Sequence, residues 1–238
     1  MKYLLFSFFL TTLLSCQTNS QSVENISAQD VNAYLDSENL ILLDVRTAQE
    51  ISKGIIKNAS VIDFYDSNFD KKIQKIQKDK TVIVYCKSGG RSSKAAQQLL
   101  AMGQAQVLNL EGGIMSWKKA GFPITKSKIS DDTSVNQFSL NDFSELLSTN
   151  DLVLVDFQTQ WCLPCKKLSP IIDIISADYQ QSVYVTKIDS DANENLSNHF
   201  KIEAVPTLVL FKHQKEIWRN TGLLSKEDIS NTLNQFID

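Results

Sequence analysis

The sequence predicts an α/β protein of two domains, each with strands alternating with helices. Three observations lead there. A chain of 238 residues is long enough for one or two domains of about 100–200 residues each. Both halves alternate short apolar runs with amphipathic helical ones, and in the first half this is the pattern of a mostly parallel sheet covered on both faces, an αβα layering. Between the halves, Thr125 to Ser134 is polar and charged with little to bury, which reads as a linker.

The chain opens with Lys2, a mostly apolar run from Tyr3 to Leu14, then Ser15 and Cys16. That run is too short for a ~30 Å hydrocarbon core, which takes roughly 20 residues, and it has the form of a secretory signal peptide. Leu13-Leu14-Ser15-Cys16 resembles the lipobox of bacterial lipoproteins, although Leu14 is a less usual residue at its position. The resemblance implies acylation of Cys16 as the mature N-terminus, a polar tether from Gln17 to Asn25, and an exported lipoprotein of the bacterial cell envelope, facing the periplasm on its membrane. An ordinary cleaved signal with an incidental cysteine is the alternative. The boundaries that follow are 1–15 for the signal, 16–26 for the lipidated end and tether, 27–124 for the first domain, 125–134 for the linker and 135–238 for the second domain.

In the first domain, Asn39–Val45, Ala59–Ile62, Thr81–Tyr85 and Gln106–Leu110 read as buried strands. Ala28–Leu35, Phe69–Gln77 and Ser92–Met102 carry helical spacing. In the second, helices are expected at Phe138–Leu147 (Asp142 and Glu145 outward), Cys162–Asp178 with an interruption at Pro170, Asn193–Phe200 and Lys226–Ile237. Strands are expected at Leu152–Phe157, Val183–Asp189, Thr207–Phe211 and Glu216–Asn220. The halves are not repeats of one another. A net charge of −3, with both signs mixed along the chain, leaves no basic footprint for nucleic acid.

Four cysteines are present: Cys16, Cys86, Cys162 and Cys165. In an oxidising compartment a stray thiol is a liability, and here each cysteine sits in a recognisable chemical setting. Cys162-Leu163-Pro164-Cys165 falls between a strand and a helix N-terminus, where free N–H groups and the helix dipole favour a thiolate. A fall in pKa from ~8.5 to ~7 raises the thiolate fraction at pH 7 roughly 15-fold, while intrinsic nucleophilicity drops about 5-fold. The larger gain is a second cysteine held close enough to attack the mixed disulfide before the substrate escapes. Half a zinc site is an alternative, but the remaining Cys86, His199 and His213 have no ligand-like spacing. A purely structural disulfide would close almost no loop. The two histidines read as surface residues.

From Val135 to the C-terminus the chain resembles the thioredoxin family, which implies a mixed sheet. The resemblance implies that Cys162 and Cys165 form the redox disulfide. It further implies that Asp156 is the buried carboxylate exchanging a proton with the second cysteine and Lys187 its neighbour. Trp161 matches the tryptophan flanking the nucleophile, and Val205-Pro206-Thr207 the cis-proline loop that offers its backbone to an extended peptide. Pro164, Pro170 and Gly222 also match. Leu163 stands where a glycine is usual, and His213-Gln214-Lys215 lacks the usual turn glycine.

Cys86 ends the run Thr81–Tyr85, and Lys87, Ser88, Gly89, Gly90 and Arg91 lead into the next helix. Two glycines able to take positive φ can turn successive N–H groups inward, making a cradle that binds anions and lowers a thiol pKa. Arg91 adds a charge with a fork of donors. Phosphoester hydrolysis and sulfur transfer share this design. The Cys-x4-Arg spacing, one residue shorter than in cysteine phosphatases, resembles the rhodanese family. Asp44-Val45-Arg46, Glu50, Gly54 to Ala59 (with Ile55 where the family has histidine), Leu110 to Ile114 and Trp117 extend the likeness. Asp44 and Arg46 read as a structural ion pair. The resemblance implies a persulfide on Cys86, filled from a sulfane-sulfur donor such as thiosulfate or another persulfide, with the loop amides stabilising its terminal sulfur. A binding-only rhodanese fold is the alternative.

Neither resemblance implies a cofactor or a bound metal. Both imply protein or small-molecule thiols and disulfides as partners, and a reductant in an oxidising compartment implies a membrane electron-relay protein. Three readings stay open: a sulfurtransferase with its own tethered reductant, two independent activities, and a non-catalytic adaptor lipoprotein. A linker of about ten residues puts one site near the other at an effective concentration of order millimolar.

Overall fold

The computed structural model describes residues 22–37, 39–126 and 137–237. Cys16, the signal and most of the linker lie outside them. The N-terminal unit contains β1 (Glu24–Ile26), α1 (Ala28–Tyr34), β2 (Leu40–Asp44), α2 (Ala48–Ile51), β3 (Ala59–Val61), α3 (Phe69–Gln74), β4 (Thr81–Tyr85), α4 (Gly90–Ala101), β5 (Gln106–Leu110) and α5 (Gly113–Lys119). Its strands are all parallel, in the order β1-β5-β4-β2-β3. Because successive strand residues point to opposite faces, the apolar runs feed two cores. Ile41, Leu43, Val82 and Val84 share one cluster with Phe69, Ile73, Ala95 and Leu99. Leu42, Ile83 and Tyr85 share the other with Val31, Ile114 and Trp117. That is the expected sheet covered on both faces.

Three short elements carry no periodicity to reveal them. β1 lies inside the stretch read as a tether, so the sheet begins at Glu24. α2 rests on a capping box, with Thr47 Oγ1 accepting from the Glu50 N–H and the Glu50 carboxylate accepting from the Thr47 N–H. α5 is capped by Gly112 and begins at Gly113, both at positive φ.

The C-terminal unit contains α6 (Leu140–Thr149), β6 (Leu152–Gln158), α7 (Leu163–Asp178), β7 (Tyr184–Asp189), α8 (Glu194–His199), β8 (Thr207–Lys212), β9 (Lys215–Thr221) and α9 (Lys226–Asn234). Its sheet is mixed, ordered β7-β6-β8-β9, with only β6 and β7 parallel. One face packs Leu152 and Leu154 in a cluster with Leu168, Ile172, Ile175, Ile229 and Leu233. On the other, the rings of Phe143, Phe200 and Phe211 meet edge to face with centroids 5.1–5.9 Å apart. The interruption expected at Pro170 is absent: α7 runs through it. Proline removes one helical N–H, but Leu168 and Ile172, buried on either side of it, hold the helix to the sheet. The turn lacking its usual glycine still forms, with His213 and Gln214 both in the left-handed region.

Arg46 is buried against Asp44, with Nε 2.9 Å and Nη2 2.6 Å from the carboxylate, and Nη2 also donates to the Gly54 carbonyl at 2.9 Å. This is the structural ion pair expected from sequence. Removing one partner of a buried pair strands the other, at a cost of ~3–5 kcal/mol. Arg46→Met should lower stability by that amount in urea unfolding, and adding Asp44→Asn should recover part of it.

Candidate functional site

The C-terminal site forms where β6 hands over to α7. Cys162 is the helix N-cap, in extended conformation, with Pro164 in the first turn. It forms a disulfide with Cys165, Cα atoms 5.3 Å apart, which excludes shared zinc ligation in this form. The Cys165 N–H points at Cys162 Sγ, 3.1 Å away. The amide and the helix dipole that would stabilise a thiolate are therefore in place.

Asp156, on β6, is fully buried, and neither carboxylate oxygen has a hydrogen-bond partner among the described residues. Burial raises its pKa to about 7 against the pull of Lys187, with Asp173 pushing it up further. Lys187 is opposite Asp156 on β7, yet its ammonium is bonded to Ser169 Oγ at 2.7 Å and to Asp173. Its influence on Asp156 is coulombic, without a hydrogen bond. A carboxyl that ionises near neutrality, on the strand entering the disulfide turn, can hold or release a proton at working pH.

Trp161 Nε1 donates to Asp191 Oδ2 at 2.8 Å. The Val205–Pro206 bond is cis, as its motif implied, and the Pro206 carbonyl accepts from the Gly222 N–H. Leu163, the departure from the usual glycine, donates its N–H to Ser60 Oγ of the N-terminal unit at 3.0 Å.

The second centre is at the C-terminal end of β4. Cys86 Sγ accepts from the Gly89 N–H at 3.2 Å and lies 3.4 Å from Ser92 Oγ. Burial by itself would raise this thiol's pKa; the hydrogen bonds from Ser92, Ser88 and Gly89 outweigh it and the pKa is lowered. Only Gly89 takes positive φ; Gly90 is the first residue of α4, so the cradle needs one left-handed residue where two were expected. Lys87 and Ser88 are exposed at its rim.

Arg91 already has a partner for its fork. Its Nη1 and Nη2 are each 2.7 Å from an oxygen of Glu50, and its guanidinium lies over the Tyr65 ring. The fork is engaged with Glu50 instead of being free for an incoming anion, and Arg91 holds the Glu50 pKa down at about 2. Arg91 thus ties the loop to α2. Gly113 clamps the loop from behind: Ile114 and Met115 N–H groups donate to the carbonyls of Cys86 and Lys87. A Cβ on Gly113 would come 2.5 Å from the Cys86 oxygen. Ile55 is buried, its main chain bridged to Thr125.

Sequence reading missed Ser92 at the Cys86 thiol, and it missed Ser60, Lys75, Gln77 and Asp191 around the disulfide. Ser92 was findable, one residue past the loop. The others meet their partners over separations such as 103 and 128 residues, which no local pattern encodes.

The thioredoxin family profile matches residues 134–235 and the rhodanese-like domain profile matches 27–120. A thioredoxin of Porphyra purpurea is 37% identical over 105 residues, 44% of this chain and 98% of the relative. The chain belongs to the thioredoxin family, with a rhodanese-like domain in front. A sulfurtransferase of Allochromatium vinosum is 37% identical over 103 residues, 43% of this chain and 94% of the relative. A solved rhodanese-related protein of Thermoplasma volcanium is 31% identical, covering 44% of this chain and 99% of its own, with a TM-score of 0.40. The chain is a thioredoxin-type thiol oxidoreductase carrying a rhodanese-type sulfurtransferase domain.

The buried carboxyl of the thioredoxin unit gives a pH test. Its folded pKa of about 7 lies above the ordinary 3.8, so between those values the native state keeps a proton the unfolded chain has lost. The resulting destabilisation grows through that window and is complete above it. Asp156→Asn should stabilise the oxidised protein by ~4 kcal/mol at pH 8, with the difference vanishing near pH 4 in urea unfolding.

Proposed function

We propose that the chain is a protein disulfide reductase of the bacterial cell envelope whose rhodanese unit forms a persulfide that its own dithiol reduces. The observation that carries this reading is that Cys86 and Cys162 each stand at a strand-to-helix junction with a main-chain N–H on the sulfur, at 3.2 and 3.1 Å.

The Cys86 thiolate attacks the sulfane sulfur of thiosulfate, sulfite leaves, and Cys86 carries a persulfide whose terminal anion faces the amides of residues 87–91. With the dithiol reduced, Cys162 attacks that outer sulfur and releases the Cys86 thiolate. Cys165, losing its proton to Asp156, then attacks the Cys162 sulfur. The outer sulfur takes up a proton from solvent and leaves as hydrosulfide as the disulfide closes. Two electrons pass from the dithiol to the sulfane sulfur, and an external dithiol, supplied through a membrane electron-relay protein, restores Cys162 and Cys165. For protein disulfides the same pair acts with the protein in place of the persulfide. In this proposal the main-chain amides of Lys87, Ser88, Gly89, Gly90 and Arg91 bind the sulfur anion. Trp161, Val205 and Pro206 receive the protein substrate, and acylated Cys16 holds the chain at the membrane.

One feature of the fold favours a second reading, in which the two units work independently. Ser60, which touches Leu163, is on edge strand β3, while Cys86 ends β4, with β2 between them. Two strand spacings are roughly 10 Å of sheet, so direct transfer needs a shift of one unit against the other.

Sulfide release from thiosulfate, driven by an electron source specific for the thioredoxin unit, separates the readings. Cys86→Ala and Cys162→Ala should each lower it at least tenfold; undiminished release by Cys162→Ala would establish independent units. A Cys162–Cys165 potential near −270 mV fits a reductant and one near −120 mV an oxidant. Cys16→Ser should move the protein from the membrane to the soluble fraction of the expressing cells.

A further inference from the structure

Only 2% of Cys162 is exposed, although an attacking or attacked sulfur must be reached along the S–S axis. The cover comes from the rhodanese unit. The Val205 N–H donates to the Lys75 carbonyl at 3.1 Å, and the Val205 carbonyl accepts from Gln77 Nε2 at 3.3 Å. On the other side of the cover the Leu163 N–H donates to Ser60 Oγ. An N–H and a C=O offered by one residue are what an extended peptide pairs with in strand addition, and here residues 75–77 already use both.

Charged contacts close the rim. Lys75 Nζ is 2.9 Å from Asp191 Oδ1, and the other oxygen of that carboxylate holds Trp161. Lys71 Nζ lies 3.0 Å from both oxygens of Glu194. Beneath the rim, Ile73 and Ile76 share one contiguous buried cluster with Trp161, Cys162 and Val205.

We infer that residues 60–77 of the rhodanese unit occupy the seat a protein disulfide would take, so that the described arrangement is a closed form and the units must part before a protein substrate is reduced. This rests on the reading of the thioredoxin unit as a protein disulfide reductase. The partner that the surface fits is this chain's own segment: apolar at Ile73 and Ile76, basic at Lys71 and Lys75, with an amide at Gln77.

The test is Lys71→Glu/Lys75→Glu in the full chain, which sets like charges against Glu194 and Asp191 and leaves Cys86, Cys162 and Cys165 in place. Insulin reduction should rise at least fivefold over the wild type, and the Val205 amide should exchange its hydrogen at least fivefold faster. Equal insulin rates, or an equally fast Val205 amide in the two proteins, would overturn the inference. Should the double variant fail to fold, Gln77→Ala, which removes the bond to the Val205 carbonyl, gives the same two readouts. Disulfide closure in the pre-reduced wild type mixed with oxidised glutathione, read by mass, checks the oxidoreductase reading separately. If that closure fails, the reductase reading fails, and amide exchange still decides whether the seat is occupied.

Discussion

A sulfur atom held at a strand-to-helix junction is the arrangement on which both halves of this molecule depend. At Cys162 the amide comes from the helix the residue caps; at Cys86 it comes from Gly89, turned inward by its positive φ. The surroundings serve that geometry. Gly113 has no side chain because the Cys86 carbonyl occupies the place of one, and Trp117 closes the core behind it. Burial opposes ionisation at Cys86 and hydrogen bonds reverse the balance. A dry site with directed amides can therefore favour an anion that a merely dry site would not.

Buried charge is met in two ways. In the rhodanese unit Arg46 pairs with Asp44 and Arg91 with Glu50, while the buried ammonium of Lys78 has no hydrogen-bond partner among the described residues and burial lowers its pKa. The thioredoxin unit leaves Asp156 unpaired, and the protein bears a cost in stability for a carboxyl that titrates near neutrality. Structural pairs hold a loop in shape, whereas an unpaired buried acid is tolerated where a proton has to move. The contrast separates Arg91, which positions the Cys86 loop, from Asp156, whose solitude is useful.

The sequence made the strands legible where apolar runs were continuous: Thr81–Tyr85 and Gln106–Leu110 coincide with β4 and β5. Both sulfur loops were legible because their chemistry is local, a cysteine within a few residues of its glycines, its proline or its partner. What stayed hidden was short or distant. β1 has three residues and is specified by its pairing with β5, and α2 has four, held by the Thr47 box. Pro170 looked like a break because local propensity argues so, and burial of the same helix face overrode it. The Arg91–Glu50 pair spans 41 residues, and nothing near Arg91 announces that its fork is already engaged.

The contact between the units is the least legible feature and the one with the most bearing on access. Its hydrogen bonds are each worth about 0.5–1.5 kcal/mol net, and pairs as exposed as Lys71–Glu194 are worth about 1 kcal/mol or less. A handful of such terms with a modest apolar contact gives a closure of a few kcal/mol, which keeps an open form at roughly 0.1–10%. A substrate that binds only the open form loses affinity in proportion to that fraction. The linker makes reclosure intramolecular, so dilution does not weaken the cover. The same weak contact also leaves room for the movement a sulfur relay would need: β2 separates Cys86 from the docked face, and a unit that lifts off β3 to admit a protein is free to present its dithiol elsewhere. In the proposed scheme shielding and relay draw on one opening equilibrium, so a substitution that loosens the contact acts on both together.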